Sequence, residues 1–215
     1  MAMADAPGGL SSFSEVFEFE ESQTEEAIDL LVLAFERDPA YRYFLSADRS
    51  GYRRRLRIVF RSLLALWRSS GQPARGIVSG QRLAGLAMLQ RTGARLGVWP
   101  QLRWLLEVSL FTGPRVVSRI LGDMRIAESA RPTEPHFYLL ILAVHPDFQG
   151  SGCGRTLLES LQARSEREPR SKGVCLETEN PNNVPFYQHI GYRATARNRY
   201  ADLEIITLFR SDKSG

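Results

Sequence analysis

Residues 137–144 (FYLLILAV) are almost wholly apolar and stop at a Pro146-Asp147 turn. Gln149-Gly150-Ser151-Gly152-Cys153-Gly154 then runs directly into RTLLESLQARSERE. A short apolar run bounded by turn residues and followed by a 3.6-residue periodicity predicts a buried strand, a glycine-rich turn and a helix N-terminus. Glycines let backbone approach a ligand closely, and the first N–H groups of a helix have no intrahelical partner. The pattern therefore predicts an anion-binding cradle.

The rest of the chain arranges itself around this unit. Residues 16–19 read as part of a first strand, and Thr24, Glu26 and AIDLLVLAFERD as an amphipathic helix with Ala27, Leu30, Leu31, Ala34 and Phe35 on its apolar face, ended by Asp38-Pro39. A second helix is expected over 51–67 and a hairpin over 75–78 and 83–90, after the Gly71-Gln72-Pro73 breaker. Residues 93–100 read as a loop and 101–130 as two helices broken at Thr112-Gly113-Pro114. Downstream come a turn (168–173), a strand (174–178), the Asn180-Pro181-Asn182-Asn183 turn capping a helix over 184–190, and Gly191 to stop it. Two antiparallel strands, 192–195 and 204–209, close the chain across a loop at 196–203. The order predicts one mixed α/β domain.

Composition narrows the chemistry. The 215 residues, 43% apolar, suit one substantial core. The formal net charge of +4 is mild and spread along the chain, which argues against nucleic acid, although Arg53, Arg54, Arg55 and Arg57 cluster on one helix; a solvated helix face accounts for them. Cys153 and Cys175 form no CxxC pair and have no partnered histidines, so neither a metal site nor a disulfide framework is expected. No signal-like segment and no apolar run long enough for a membrane span is present, and a cytoplasmic protein with no membrane partner is the expectation.

The glycine turn lacks the Lys-Ser/Thr pair of a P-loop, and no acidic ribose anchor follows it convincingly. LAVHPDFQGSGCG, followed by LETENPNNVPFYQHIGY, instead resembles the GCN5-related N-acetyltransferase (GNAT) superfamily, whose signature is Gln/Arg-x-x-Gly-x-Gly/Ala after the fourth strand. The nearest flavour is the bacterial puromycin-type acetyltransferase branch. The resemblance covers about residues 138–192. It implies a mostly antiparallel central sheet flanked by helices, a single domain over 13–210 with a helical insertion near 101–130, and disordered tails at 1–12 and 211–215.

It also implies acetyl-CoA as co-substrate and no metal. Leu142, Ala143 and Val144 would pair with the pantetheine arm; Gln149, Gly150, Gly152, Gly154 and Arg155 would cradle the pyrophosphate, with Ser151 and Cys153 contributing backbone. Asn180 and Asn183 match cofactor-contacting asparagines, and Tyr187 the tyrosine beside the thioester sulfur. Expelling a thiolate calls for a proton donor, which makes Tyr187 the general acid. The base stays open. Tyr138 occupies the position where many members carry glutamate, and His136, Glu177 or no side chain at all remain as alternatives. His145 and His189 read as surface or packing residues, and Cys153, without a histidine at motif spacing, as no nucleophile.

The resulting expectation is direct acetyl transfer to a primary amine of a small molecule, by a monomer or homodimer. Phe35, Tyr41, Tyr43, Phe44, Trp99 and Trp104 would form an aromatic acceptor region, with Glu36 and Asp38 attracting positive charge. The alternatives are a peptide or protein N-acetyltransferase and a non-catalytic acyl-CoA-binding module.

Overall fold

The computed structural model describes residues 15–91, 94 and 96–212. The expected N-terminal tail (1–12), residues 213–215 and Gly93 lie outside the described residues.

The strands are β1 (Phe17–Glu18), β2 (Ala74–Ser79), β3 (Arg82–Gln90), β4 (Phe137–Val144), β5 (Gly173–Thr178), β6 (Arg193–Tyr200) and β7 (Leu203–Ser211). They form one sheet in the order β1-β2-β3-β4-β5-β7-β6, antiparallel except for β4 against β5. Helices α1 (Thr24–Phe35) and α3 (Tyr52–Ser69) cover one face, extended by α4 (Val98–Thr112) and α5 (Pro114–Ser129). Helix α6 (Cys153–Glu166) covers the other, with α7 (Val184–His189) beside it. Each face has its own apolar core, so both sides of β3 and β4 are buried. That explains their nearly continuous apolar sequences.

Three boundaries differ from the sequence reading. Asp38-Pro39 does not merely end α1 but starts a further helix, α2 (Pro39–Phe44): Asp38 Oδ1 accepts from the N–H groups of Ala40 (3.0 Å) and Tyr41 (3.2 Å), with proline in the first turn. The expected loop at 196–203 is mostly strand, because β6 (RATARNRY) is polar and largely exposed and carries no apolar alternation. A two-residue turn, Ala201-Asp202, with Ala201 at φ 51°, joins it to β7. The ordered chain also continues past 210: Ser211 belongs to β7, and Asp212 accepts from Gln162 Nε2 (2.7 Å) and Ser165 Oγ (2.8 Å).

Two irregularities open the sheet where the site forms. Leu89 pairs with Leu139 but Met88 with Ile141, so Leu140 is the extra residue of a β-bulge. The bulge switches faces: Phe137 and Leu139 join the core under α6, whereas Ile141 and Ala143 join the core under α1 and α3. The parallel ladder between β4 and β5 ends at Leu139↔Leu176, while β3 follows β4 to Val144. Residues 140–144 of β4 thus keep an open backbone edge toward β5.

Helix α5 is brought over this opening by Gly122, where any Cβ would fall 2.4 Å from the Tyr200 hydroxyl of β6. Arg119 ties α5 to α2, donating to Tyr43 O (2.7 Å) and Ser46 Oγ (2.9 Å) and lying 4.7 Å over the Tyr43 ring.

Candidate active site

A cavity of about 270 Å³ lies at the divergence of β4 and β5. Tyr138, Ile141 and Leu142 of β4, Glu177 and Thr178 of β5, and Glu179, Asn183 and Tyr187 just beyond line one side of it. Phe35, Asp38, Tyr41 and Phe44 from α1 and α2, Trp104 from α4 and Ile120 and Asp123 from α5 line the other. Tyr41 meets both Phe35 and Phe44 edge-on, at 5.1 and 6.2 Å. Of the aromatic residues grouped in the sequence, Phe35, Tyr41, Phe44 and Trp104 line this cavity and the others do not. Tyr43 is engaged by Arg119, Trp99 is 82% exposed on α4, and Glu36 pairs with Arg53 at 3.1 Å.

Four carboxylates line this cavity. Glu177 is held by Arg131, Nε to Oε1 2.9 Å, with both side chains mostly buried and the guanidinium 3.4 Å over the Tyr138 ring. The Glu177 carboxylate is thus committed to Arg131. The other three pair with no cation among the described residues. Burial pushes the Glu179 carboxyl up to about 8, with the charges of Asp123 and Asp38 adding to it. Burial likewise pushes Asp123 up to about 7, helped by Glu177 and Asp38, and it raises Asp38 against the pull of the Tyr41 and Ala40 N–H groups. Two polar atoms on the helical wall, Asp123 Oδ1 and Trp104 Nε1, are buried without a hydrogen-bond partner among the described residues.

Tyr187 is buried on the opposite wall, 5.3 Å from the Phe186 ring. Burial, and then the charges of Glu179 and Asp38, hold its phenol well above the usual value, so it stays protonated and has a proton to donate.

The glycine turn sits at the far end of the open β4 edge. Gly150 (φ 78°) and Gly152 (φ 92°) adopt left-handed backbone, and a Cβ at either would meet no atom within 4 Å. The backbone there faces open space immediately before the first N–H groups of α6. Gln149 Nε2 donates to Val144 O (3.3 Å), fixing the turn to the end of β4, and Ser151 Oγ donates to Phe148 O. Gly154 lies against Val144 and Phe186, each 3.4 Å from where its Cβ would be. Arg155 is exposed and pairs with Glu159 at 2.9 Å. Ala143 is buried in the core, whereas Leu142 reaches the cavity. Asn180 caps its own turn, its Oδ1 accepting from Asn182 N at 3.1 Å, while Asn183 reaches the cavity.

His136 is not brought to the site. It is half-buried just before β4, at the end away from the splay, with Nδ1 2.7 Å from Glu134 O. His145 accepts from Asp147 N at 3.2 Å within its own turn. Cys153 points into the sheet, so close to Gly85 that a Cβ there would be 2.8 Å from its sulfur, and burial pushes its thiol up to about 11. A buried, protonated thiol is no nucleophile. The arginine cluster is largely committed: Arg55 donates to Leu45 O (3.0 Å) and Ser50 O (2.6 Å), Arg57 pairs with Asp29 and Glu25, and Arg53 with Glu36.

Sequence reasoning passed over Glu179 and Asp123. Asp123 did carry a signal: it falls between Ile120 and Ala127 on the buried face of α5, where a carboxylate is out of place. Glu179 stands inside the LETEN segment, but nothing local says that its neighbours are acidic.

A domain-family model described as "Acetyltransferase (GNAT) domain" matches residues 113–194, a stretch that holds α5, β4, the glycine turn, α6, β5 and α7. Among solved structures, a histone acetyltransferase HPA2 and related acetyltransferase of Corynebacterium glutamicum is 18% identical, with 94% of this chain and 97% of that chain covered and a TM-score of 0.70. An agmatine N-acetyltransferase is 14% identical over 93% and 99% of the two chains (TM-score 0.64). The ribosomal-protein-S18-alanine N-acetyltransferase of Escherichia coli is 16% identical over 94% and 96% (TM-score 0.56). The bulged and splayed β4, the glycine turn and these likenesses agree: the chain has the fold of the GCN5-related N-acetyltransferases.

Proposed function

We propose that this protein is an acetyl-CoA-dependent N-acetyltransferase that passes the acetyl group directly to a primary amine of a small molecule. The observation that carries the reading is the end of the β4–β5 ladder at Leu139↔Leu176, which opens a backbone edge between the glycine turn and a cavity holding Tyr187 and Glu179.

The residues fit the co-substrate. The edge of β4 at Leu142, Ala143 and Val144 offers backbone groups to the amides of a pantetheine arm. Gly150, Gly152, Cys153, Gly154 and Arg155 offer N–H groups to a pyrophosphate, over two glycines whose missing side chains leave the approach clear, while the N–H groups of Gln149 and Ser151 donate to Pro146 O (3.2 Å) and Phe148 O (3.4 Å) and hold the turn in shape. Asn180 shapes the turn that sets Asn183 against the cavity. Bound there, acetyl-CoA supplies an acetyl group activated as a thioester.

The chain's own groups handle the two protons of the exchange. Glu179, once ionised, takes a proton from the amine nitrogen as the new C–N bond forms; Tyr187 Oη gives one to the departing sulfur as the C–S bond breaks. Tyr187 recovers its proton on return to bulk equilibrium, so the products are the acetamide and the free thiol. Glu179 replaces Glu177 and His136 in this role, because Glu177 is held by Arg131 and His136 is remote.

The similar structures carry names for protein and small-molecule acceptors alike, so the acceptor is argued from the cavity. At about 270 Å³, walled by Phe35, Tyr41, Phe44 and Trp104, it fits a small amine better than a peptide segment. The puromycin-like flavour rests on the sequence motifs alone. Free CoA release, measured with acetyl-CoA and a panel of amines and peptides, tests the proposal. Amine-dependent release that falls in Tyr187→Phe supports it, and tight acetyl-CoA binding with no release across the panel favours a binding module.

A further inference from the structure

The acceptor cavity holds more carboxyl groups than its own walls pair with cations. Asp38, Asp123, Glu177 and Glu179 line it, and Arg131, the one cation among the described lining residues, is taken by Glu177. The decisive member is Asp123. It is 7% exposed, sits on the buried face of α5, and leaves Oδ1 without a hydrogen-bond partner among the described residues. A buried carboxylate oxygen without a donor is unfavourable, and a cationic donor offsets that cost through charge-assisted hydrogen bonds.

Asp123 and Glu179 reach the cavity from different elements. Glu179 follows β5 on the side of Tyr187, whereas Asp123 comes from α5, set there by the close packing of Gly122 on Tyr200. Apolar side chains from Phe35, Tyr41, Phe44 and Ile120 complete the helical side. A ligand that satisfies both ends has two nitrogens joined by a short hydrocarbon.

We infer that Asp123, with Asp38 beside it, forms a subsite for a second, permanently protonated nitrogen, so that the acceptor is a compact aliphatic diamine. One nitrogen, free of its proton, reacts near Glu179 and Tyr187; the other stays an ammonium and donates to Asp123. The identity of the reacting nitrogen rests on the acetyl-transfer reading, but the cation subsite does not.

The test uses chain-matched pairs at constant ionic strength: 1,4-diaminobutane against butylamine and 1,5-diaminopentane against pentylamine, followed by CoA release, with calorimetric titration of the diamines alongside. In the wild type, kcat/KM for the diamine should exceed that of its monoamine at least tenfold, chiefly through KM. In Asp123→Asn that ratio should fall toward one. Equal turnover of the pair by the wild type, or a ratio preserved in Asp123→Asn, overturns the inference; the first comparison needs no variant to fold. Should no amine release CoA, diamine binding that is present in the wild type and lost in Asp123→Asn upholds the subsite while the transfer reading falls. Absence of both turnover and diamine binding removes the subsite as well.

Discussion

Glu177 and Arg131 meet at 2.9 Å in a setting where the glutamate side chain is only 4% exposed, and the same guanidinium covers the ring of Tyr138. The pair joins the end of α5 to β5 across the mouth of the β4–β5 divergence. Removing one partner leaves the other as an uncompensated buried charge, which costs more than the pair itself contributes. Arg131→Ala should therefore destabilise the protein by about 3 kcal/mol in urea unfolding, and Glu177→Gln by less, because a neutral amide still accepts from Arg131. Equal, small losses for both would mean that the pair is open to solvent.

Tyr187→Phe keeps a buried ring and removes only the hydroxyl. If the phenol protonates the leaving sulfur, kcat should fall about 100-fold, while KM for acetyl-CoA and the melting temperature stay close to wild type. A KM rise with unchanged kcat would make Tyr187 a binding residue instead.

The pH profile of kcat/KM should separate Glu179 from the acceptor. Its carboxyl titrates near 8 in the free protein, raised first by burial and then by Asp123 and Asp38, and only the ionised form accepts a proton. Activity should thus fall as pH drops through about 8, and Glu179→Gln should lose that limb, keeping only the rise that belongs to the amine. The same limb in both proteins would assign it to the substrate alone.

How far these groups were legible in the sequence depends on how local each signal is. The strand, the glycine turn and α6 are contiguous, and their pattern was legible in the residues themselves. The free end of β4 and Tyr187 were singled out only by the resemblance of residues 138–192 to the acetyltransferase superfamily. Glu177, by contrast, looked like a base because Arg131, its partner, lies on the far side of β4 in sequence. The acidic group formed by Asp38, Asp123 and Glu179 comes from α2, α5 and the end of β5, and only the fold assembles it. The bulge at Leu140 was equally invisible, since the exposure along β4 keeps its period of two while the residues change core.

Gly152 stands at φ 92° with open space in front of it, so a side chain there strains the turn but strikes no part of the protein. Gly152→Val should cost about 1–2 kcal/mol in stability and raise KM for acetyl-CoA about tenfold, leaving KM for the amine nearly unchanged. An unchanged KM for acetyl-CoA would move the pyrophosphate away from the glycine turn.

Asp123 ties the site to the stability of the fold. Its carboxyl is raised to about 7 in the folded state, above the ordinary value of an unfolded chain, so folding favours the protonated form. The favourable contribution is fully present below the unfolded value near 4 and is lost as pH climbs through about 7. Asp123→Asn carries no such proton. Its melting temperature should gain on the wild type progressively between pH 4 and 7 and hold a constant lead above, with Asp38 and Glu179 still titrating in both proteins. Saturating 1,4-diaminobutane should close that lead at pH 8, because an ammonium paired with Asp123 stabilises the wild type alone. A lead that does not grow with pH would mean that Asp123 is ionised and solvated in the folded protein, and it would deprive the cavity of its unpartnered charge.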